Sequence, residues 1–167
     1  IGGVVNLVTG QLPANLELSY GAHGTGRLVG AGSALGPISH LRGDAPGAWS
    51  DDLLLMAELF GTRGDFEAFT DNGTLYNQDD DGFVVRQNND KRQLGTIARW
   101  RLRSDSLELA FSDSFLAREE GLPGPITSPT TSTRLGTQRN LASARIEGHS
   151  GALRSSGLVW NQWRAET

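Results

Sequence analysis

Three aspartates stand in a row in Asn77-Gln78-Asp79-Asp80-Asp81-Gly82. Asn77, Asp79 and Asp81 match the first, third and fifth positions of a calcium loop, and Gly82 takes the sixth, where such a loop turns sharply. The twelfth position calls for a bidentate Glu, and this chain has Asn88 there. Asn77, Asp79 and Asp81 are therefore a calcium candidate carried by half a motif, and a solvated acidic loop accounts for the same residues. Phe66, Phe69, Tyr76 and Phe83 crowd the same segment. Beside Asp79 and Asp81, these rings are candidate ligand contacts, or they simply pack the loop onto its neighbours.

Other chemistry-like patterns fall short. Gly30, Gly32 and Gly36 imitate a dinucleotide fingerprint, but phosphate binding needs a following helix N-terminus, and Pro37 with Ile-Ser-His-Leu-Arg-Gly-Asp offers none. His149-Ser150-Gly151 places Gly directly after Ser, one residue too early for a nucleophile elbow. His23, His40 and His149 are far apart and each sits at or beside a connector, as surface histidines do. The absence of cysteine excludes disulfides and Cys-based zinc sites. No catalytic constellation remains, so the expectation is a non-enzyme. A net charge of -4 gives no basic field for nucleic acid.

The elements that must carry these residues are strands. No stretch of a dozen residues keeps apolar groups at helical spacing, whereas short alternating runs recur between Gly, Pro, Asn and Asp clusters. In Asn15–His23, Leu16, Leu18, Tyr20 and Ala22 share one face, and a Gly24-Thr25-Gly26 turn follows. Strand-like runs continue at 27–36, 51–61, 93–103, 106–119, 138–148 and 152–163. Leu94, Thr96, Ala98, Trp100 and Leu102 oppose Gly95, Ile97, Arg99, Arg101 and Arg103. Leu107, Leu109, Phe111 and Phe115 oppose Glu108, Ser112 and Ser114. Ala142, Ala144 and Ile146 oppose Ser143, Arg145 and Glu147, while the last run is mixed. The reading is all-β, an antiparallel up-and-down meander of about seven strands.

Connector lengths are asymmetric. Ser104–Ser106 and His149–Gly151 are short, whereas Thr62–Lys91 and the Pro-rich Glu120–Leu135 are long and polar. Long loops at one end and short turns at the other are how outer-membrane barrels are built. The connector from Pro37 to Asp51 departs from that rule. A barrel also accommodates the arginines: its lumen is wet, so Arg99, Arg101, Arg103 and Arg145 stay hydrated or pair with Glu108 and Glu147 on neighbouring strands. Trp100 would then join an aromatic girdle at the short-turn end, and Phe115, Trp160 and Trp163 the opposite girdle. An antiparallel sheet with one solvated face gives the same alternation.

The opening residues Gly2, Gly3, Val4, Val5, Asn6, Leu7, Val8 and Thr9 resemble the last plug strand of TonB-dependent outer-membrane receptors, where a similar run hands over to the first barrel strand. The strand Leu16–Ser33, the loop Phe69–Gly82 and Arg118–Ile126 follow in the order that family shows. The resemblance implies that residues 1–10 end a plug domain and 11–167 begin the barrel domain. The fold would be an incomplete part of a transmembrane β-barrel of about 22 strands. On this reading both chain ends are cuts, and the isolated piece is an open, curled meander with two unpaired edges. It further implies import of a scarce nutrient, such as a ferric siderophore or cobalamin, across the outer membrane of a Gram-negative bacterium, by energised gating. The implied partners are outer-membrane lipid, a small-molecule or metal-chelate ligand, and the TonB–ExbB–ExbD complex acting through a region N-terminal to this chain. No cofactor is expected, apart from the calcium candidate in an external loop. The ligand-contact expectation rests on Phe66, Phe69, Tyr76, Asp79, Asp81 and Phe83.

A second reading, from another class, is a soluble secreted β-sandwich acting as a carbohydrate-binding or adhesion module. It must bury the arginine-bearing faces dry, which is costly. A small complete barrel of about eight strands fits the plug-like opening poorly.

Overall fold

Leucine, β-branched and aromatic residues at alternate positions make nine strands among the residues described by the computed structural model, which are 13–35, 49–71, 76–77, 79, 81–126 and 128–167. They are β1 (Asn15–Gly21), β2 (Thr25–Leu35), β3 (Ser50–Thr62), β4 (Phe66–Thr70), β5 (Gly82–Arg86), β6 (Lys91–Arg103), β7 (Leu107–Gly121), β8 (Arg134–Ser150) and β9 (Leu153–Glu166). Seven of them form one sheet in the order β1-β2-β3-β6-β7-β8-β9, with every neighbouring pair antiparallel. β4 and β5 form a separate hairpin. The all-β antiparallel meander read from the alternation is thus the observed fold. β1 and β9 lie at opposite edges of the sheet.

The structure corrects several boundaries. The first turn is Ala22–Gly24, with His23 at φ 56° and Gly24 at φ 64°. Thr25 already pairs with Gly21, so Thr25 and Gly26 open β2, and Ala22 sits in the turn instead of on the face of Leu16. The last turn is Gly151–Ala152, with Gly151 at φ 59°, so His149 and Ser150 still belong to β8. The long segment between β3 and β6 is no plain polar loop: it holds the β4–β5 hairpin. Residues 1–10, 36–48 and His40 lie outside the described residues, as does most of the Pro37–Asp51 connector.

One end of the sheet carries the Ala22–Gly24 turn and the described residues of the β3–β6 and β7–β8 connections. The other carries the short turns at 104–106 and 151–152. The first is the loop end of the sheet and the second its turn end.

Because paired residues in an antiparallel sheet share a face, the register fixes what each face presents. Tyr20, Leu28, Leu59, Leu94, Phe111, Ile146, Val159 and Trp163 lie on one face. Trp100 stacks on Phe111 with centroids 5.6 Å apart, and its Nε1 donates to Asp51 Oδ2 at 2.8 Å. The indole thereby satisfies a carboxylate that is only 4% exposed. Further polar pairs interrupt this apolar face: Asn140 Nδ2 donates to Asp113 Oδ1 at 2.8 Å, and at the loop end Arg134 bonds Glu119.

The opposite face carries Arg27, Arg99, Arg101, Arg103, Arg118, Arg139, Arg145, Arg154 and Arg164, interleaved with Glu, Asp and Ser. Arg103 reaches Glu108 across strands at 3.3 Å, as the pattern suggested. Arg101 instead pairs with Asp52 at 3.1 Å, and Arg145 bonds Glu147 within its own strand. Trp160 also belongs here, in register with Ser143, so it does not join Phe115 and Trp163 on the apolar face. The mixed pattern of β9 concealed that parity.

Among the described residues Leu54 is the one buried hydrophobic side chain, at 5% exposure. The sheet is a single layer among the described residues, and large side chains of its apolar face stay exposed, including Leu18, Leu55, Leu59 and Val159. A chain of this length that folds around its own core would hide such residues. The apolar face therefore lacks its solvent-excluding partner, which is the physical question any function must answer.

Candidate functional site

The candidate ligand-contacting residues lie at the loop end, on and around the β4–β5 hairpin. The register Glu67↔Val85 and Phe69↔Phe83 puts these four residues on one face of the hairpin. Phe69 and Phe83 meet edge to face, with centroids 5.5 Å apart and ring planes at 71°, a geometry set by ring quadrupoles. Both rings and Val85 remain exposed. Phe66 pairs with Arg86 on the opposite face of the hairpin. The expected aromatic group is thus divided: Phe69 and Phe83 come together, Phe66 faces away from them, and Tyr76 stands 99% exposed beyond the strands.

Asn77 and Asp79 occupy the same outer region, where the Asp79 N–H donates to Asn77 Oδ1 at 3.3 Å. That bond tightens the local turn by using an oxygen the calcium pattern would assign to the ion. Among the described residues, no group of three or more His, Asp or Glu is placed to hold a metal. Asn88, at the twelfth position, serves elsewhere. Its φ is 58°, and its Nδ2 donates to the carbonyls of Leu122 at 3.1 Å and Thr133 at 2.9 Å.

Those bonds belong to a clamp that the sequence patterns did not reveal. The Gly121 N–H donates to the Asp90 carbonyl at 2.9 Å, and Arg86 Nη2 donates to the Gly124 carbonyl. Arg134 forks onto both Asp90 oxygens at 3.1 and 2.7 Å and also bonds Glu119. The Arg134 hydrogen bonds hold the Asp90 carboxyl below the usual range for aspartate, the two groups favouring each other's charged form. Gly121 is required at this junction: a Cβ there would lie 2.5 Å from the Asn88 carbonyl oxygen. On the other side, the Asn89 amide donates to the Gly64 carbonyl at 3.0 Å, and the Arg63 and Gly64 N–H groups donate to the His23 carbonyl. The hairpin base, the first turn and the β7–β8 loop are therefore fastened into one layer. No local pattern announces Arg134, because its partners lie 15 and 44 residues away.

Beneath this layer, the loop end of the apolar face bends into an open trough of about 1150 Å³. Leu18, Leu28, Leu59, Leu94, Ala117 and Trp163 contribute to its lining. The whole arrangement can grip and position. No protein-family model matches the chain, no curated protein matches it, and no solved structure matches its fold.

Proposed function

We propose that the chain is the first part of the barrel of a TonB-dependent outer-membrane receptor that imports a scarce nutrient such as a ferric siderophore or cobalamin. The observation that carries this reading is the exposed apolar face of a single-layer meander, backed by a charged face and with long connectors at one end. Lipid would cover the apolar face, and the arginine face would line a wet lumen. Strands β3 and β6 to β9 run 13 to 17 residues, longer than the roughly 9–11 that cross a bilayer. The excess would lift the clamped loop layer clear of the membrane, where Phe69 and Phe83 meet ligand. The protein acts by gated binding without bond chemistry, and TonB–ExbB–ExbD supplies the energy.

The soluble sandwich reading draws on a different observation: the apolar face curves inward at the trough, as a face does when it packs on a second sheet, and that packing would leave the arginine face in water instead of burying it dry. Cell fractionation separates the two. The gene product expressed in its native context should sediment with outer membranes and need detergent for extraction. Recovery in the soluble fraction without detergent would end the receptor reading.

A further inference from the structure

One patch of the apolar face is ill suited to a cover of lipid. Along β7 that face shows Leu109 and Phe111, then Asp113, then Phe115 and Ala117. The Arg134–Glu119 pair lies beyond Ala117 at the loop end, and the short turns lie beyond Leu109. Asp113 therefore sits at mid-height, where hydrocarbon would meet it. Its neighbours in the rung, Ala98 and Ala142, carry no donor. Asn140 Nδ2 satisfies Asp113 Oδ1 at 2.8 Å, and Oδ2 has no hydrogen-bond partner among the described residues. Beyond Ala142 in the same rung stands Asn161, exposed and likewise without a side-chain hydrogen bond among the described residues. Unsatisfied polar groups are costly at that depth, and ionisable side chains there face protein or water instead of lipid.

The chemistry of the patch identifies its cover. Asp113 brings an unused acceptor and Asn161 unused donors, on either side of Ala142 and about 10 Å apart. Such a patch is complementary to itself. Turned about a two-fold axis along β8, a second copy sets its Asn161 opposite Asp113 and its Asp113 opposite Asn161, the reciprocal contact that a closed dimer requires. Ala142 and Ala144 are small, so the two sheets can approach over that axis. Phe111, Val159 and Trp163 surround them as exposed apolar side chains that would seal the polar pairs. Small residues and polar pairs are also what join helices inside a bilayer, where apolar side chains gain little by leaving lipid.

We propose that the mid-height of β7–β9 is the interface with a second copy of this protein, each Asp113 accepting from the other copy's Asn161. The proposal rests on the receptor reading, since hydrocarbon is what makes the unpaired groups costly.

The test uses the full-length protein in outer membranes and a bismaleimide whose spacer matches the roughly 10 Å between packed sheets. Ala142→Cys should give a product of twice the protomer mass, whereas Leu158→Cys, on the arginine face, should not. Asn161→Asp added to Ala142→Cys sets one acidic side chain against another and should cut that yield about tenfold. Adding Asp113→Asn as well should restore it, because the exchange keeps the two groups complementary; misfolding would not be rescued in this way. In protein that still sediments with outer membranes, four results would each overturn the pairing and leave the receptor reading standing. They are no cross-link, a product of any other mass, an undiminished yield in Asn161→Asp, and a failed rescue. Recovery of the parent without detergent would overturn both.

Discussion

At the scale of single residues, the loop layer depends on one ion cluster. Asp90 is held ionised by Arg134, so its folded pKa lies below the ordinary value. Linkage fixes the sign: the stabilisation is complete above the unfolded value of about 3.9 and is lost as pH falls through the folded one. Hydrogen exchange at the Gly121 N–H, which donates to the Asp90 carbonyl, should report the loss directly. Protection of that amide should fall in the parent as pH drops through the folded Asp90 pKa, whereas in Asp90→Asn it should already be reduced at neutral pH and show no such fall. Identical pH profiles would mean that Arg134 does not organise the junction. The same residues show the limits of reading a chain. Asp79 and Asp81 attract notice because they stand in a row, yet the described bonds give the organising role to Asn88, Asp90 and Arg134. Their partnership exists only once β6, β7 and β8 are in register.

At the scale of elements, the strands of the main sheet were legible, because alternation is a local signal that needs no tertiary information. Three kinds of feature were not. The β4–β5 hairpin escaped because five-residue strands leave little alternation to detect and a long polar segment separates them. The parity of Trp160 escaped because β9 is an edge strand with small and polar residues on both faces. Turn positions shifted by a residue or two, where a positive φ at His23 or Gly151, rather than composition, sets the reversal. The hairpin shares no pairing with the seven-stranded sheet, so it is separable. Replacing residues 66–86 by a short Gly-Ser linker should leave far-UV strand signal and the thermal midpoint of the sheet within a few degrees of the parent. Ligand uptake by the full-length protein should fall at least tenfold. Unchanged uptake would move the ligand contact away from Phe69 and Phe83.

At the scale of the whole molecule, everything turns on what covers the apolar face. Its side chains are too many and too exposed to be left in water, and the sheet has no second layer among the described residues. Lipid and a second sheet are both adequate covers, but they treat a new charge differently from the way water does. Adjacent residues on β9 make the comparison clean. Val159 and Leu158 are 67% and 66% exposed, yet the register places Val159 on the apolar face and Leu158 on the arginine face. If exposure to water governed both, arginine at either position would have the same small effect. If lipid covers one face, the two must differ, since arginine facing the bilayer midplane costs about 2–4 kcal/mol while the lumen tolerates it. The decisive measurement is therefore the urea unfolding free energy of the full-length protein in phospholipid vesicles, with Val159→Arg and Leu158→Arg compared against the parent. The account predicts a loss of about 2–4 kcal/mol for Val159→Arg and less than about 1 kcal/mol for Leu158→Arg. Equal effects, or the larger loss at Leu158, would contradict it.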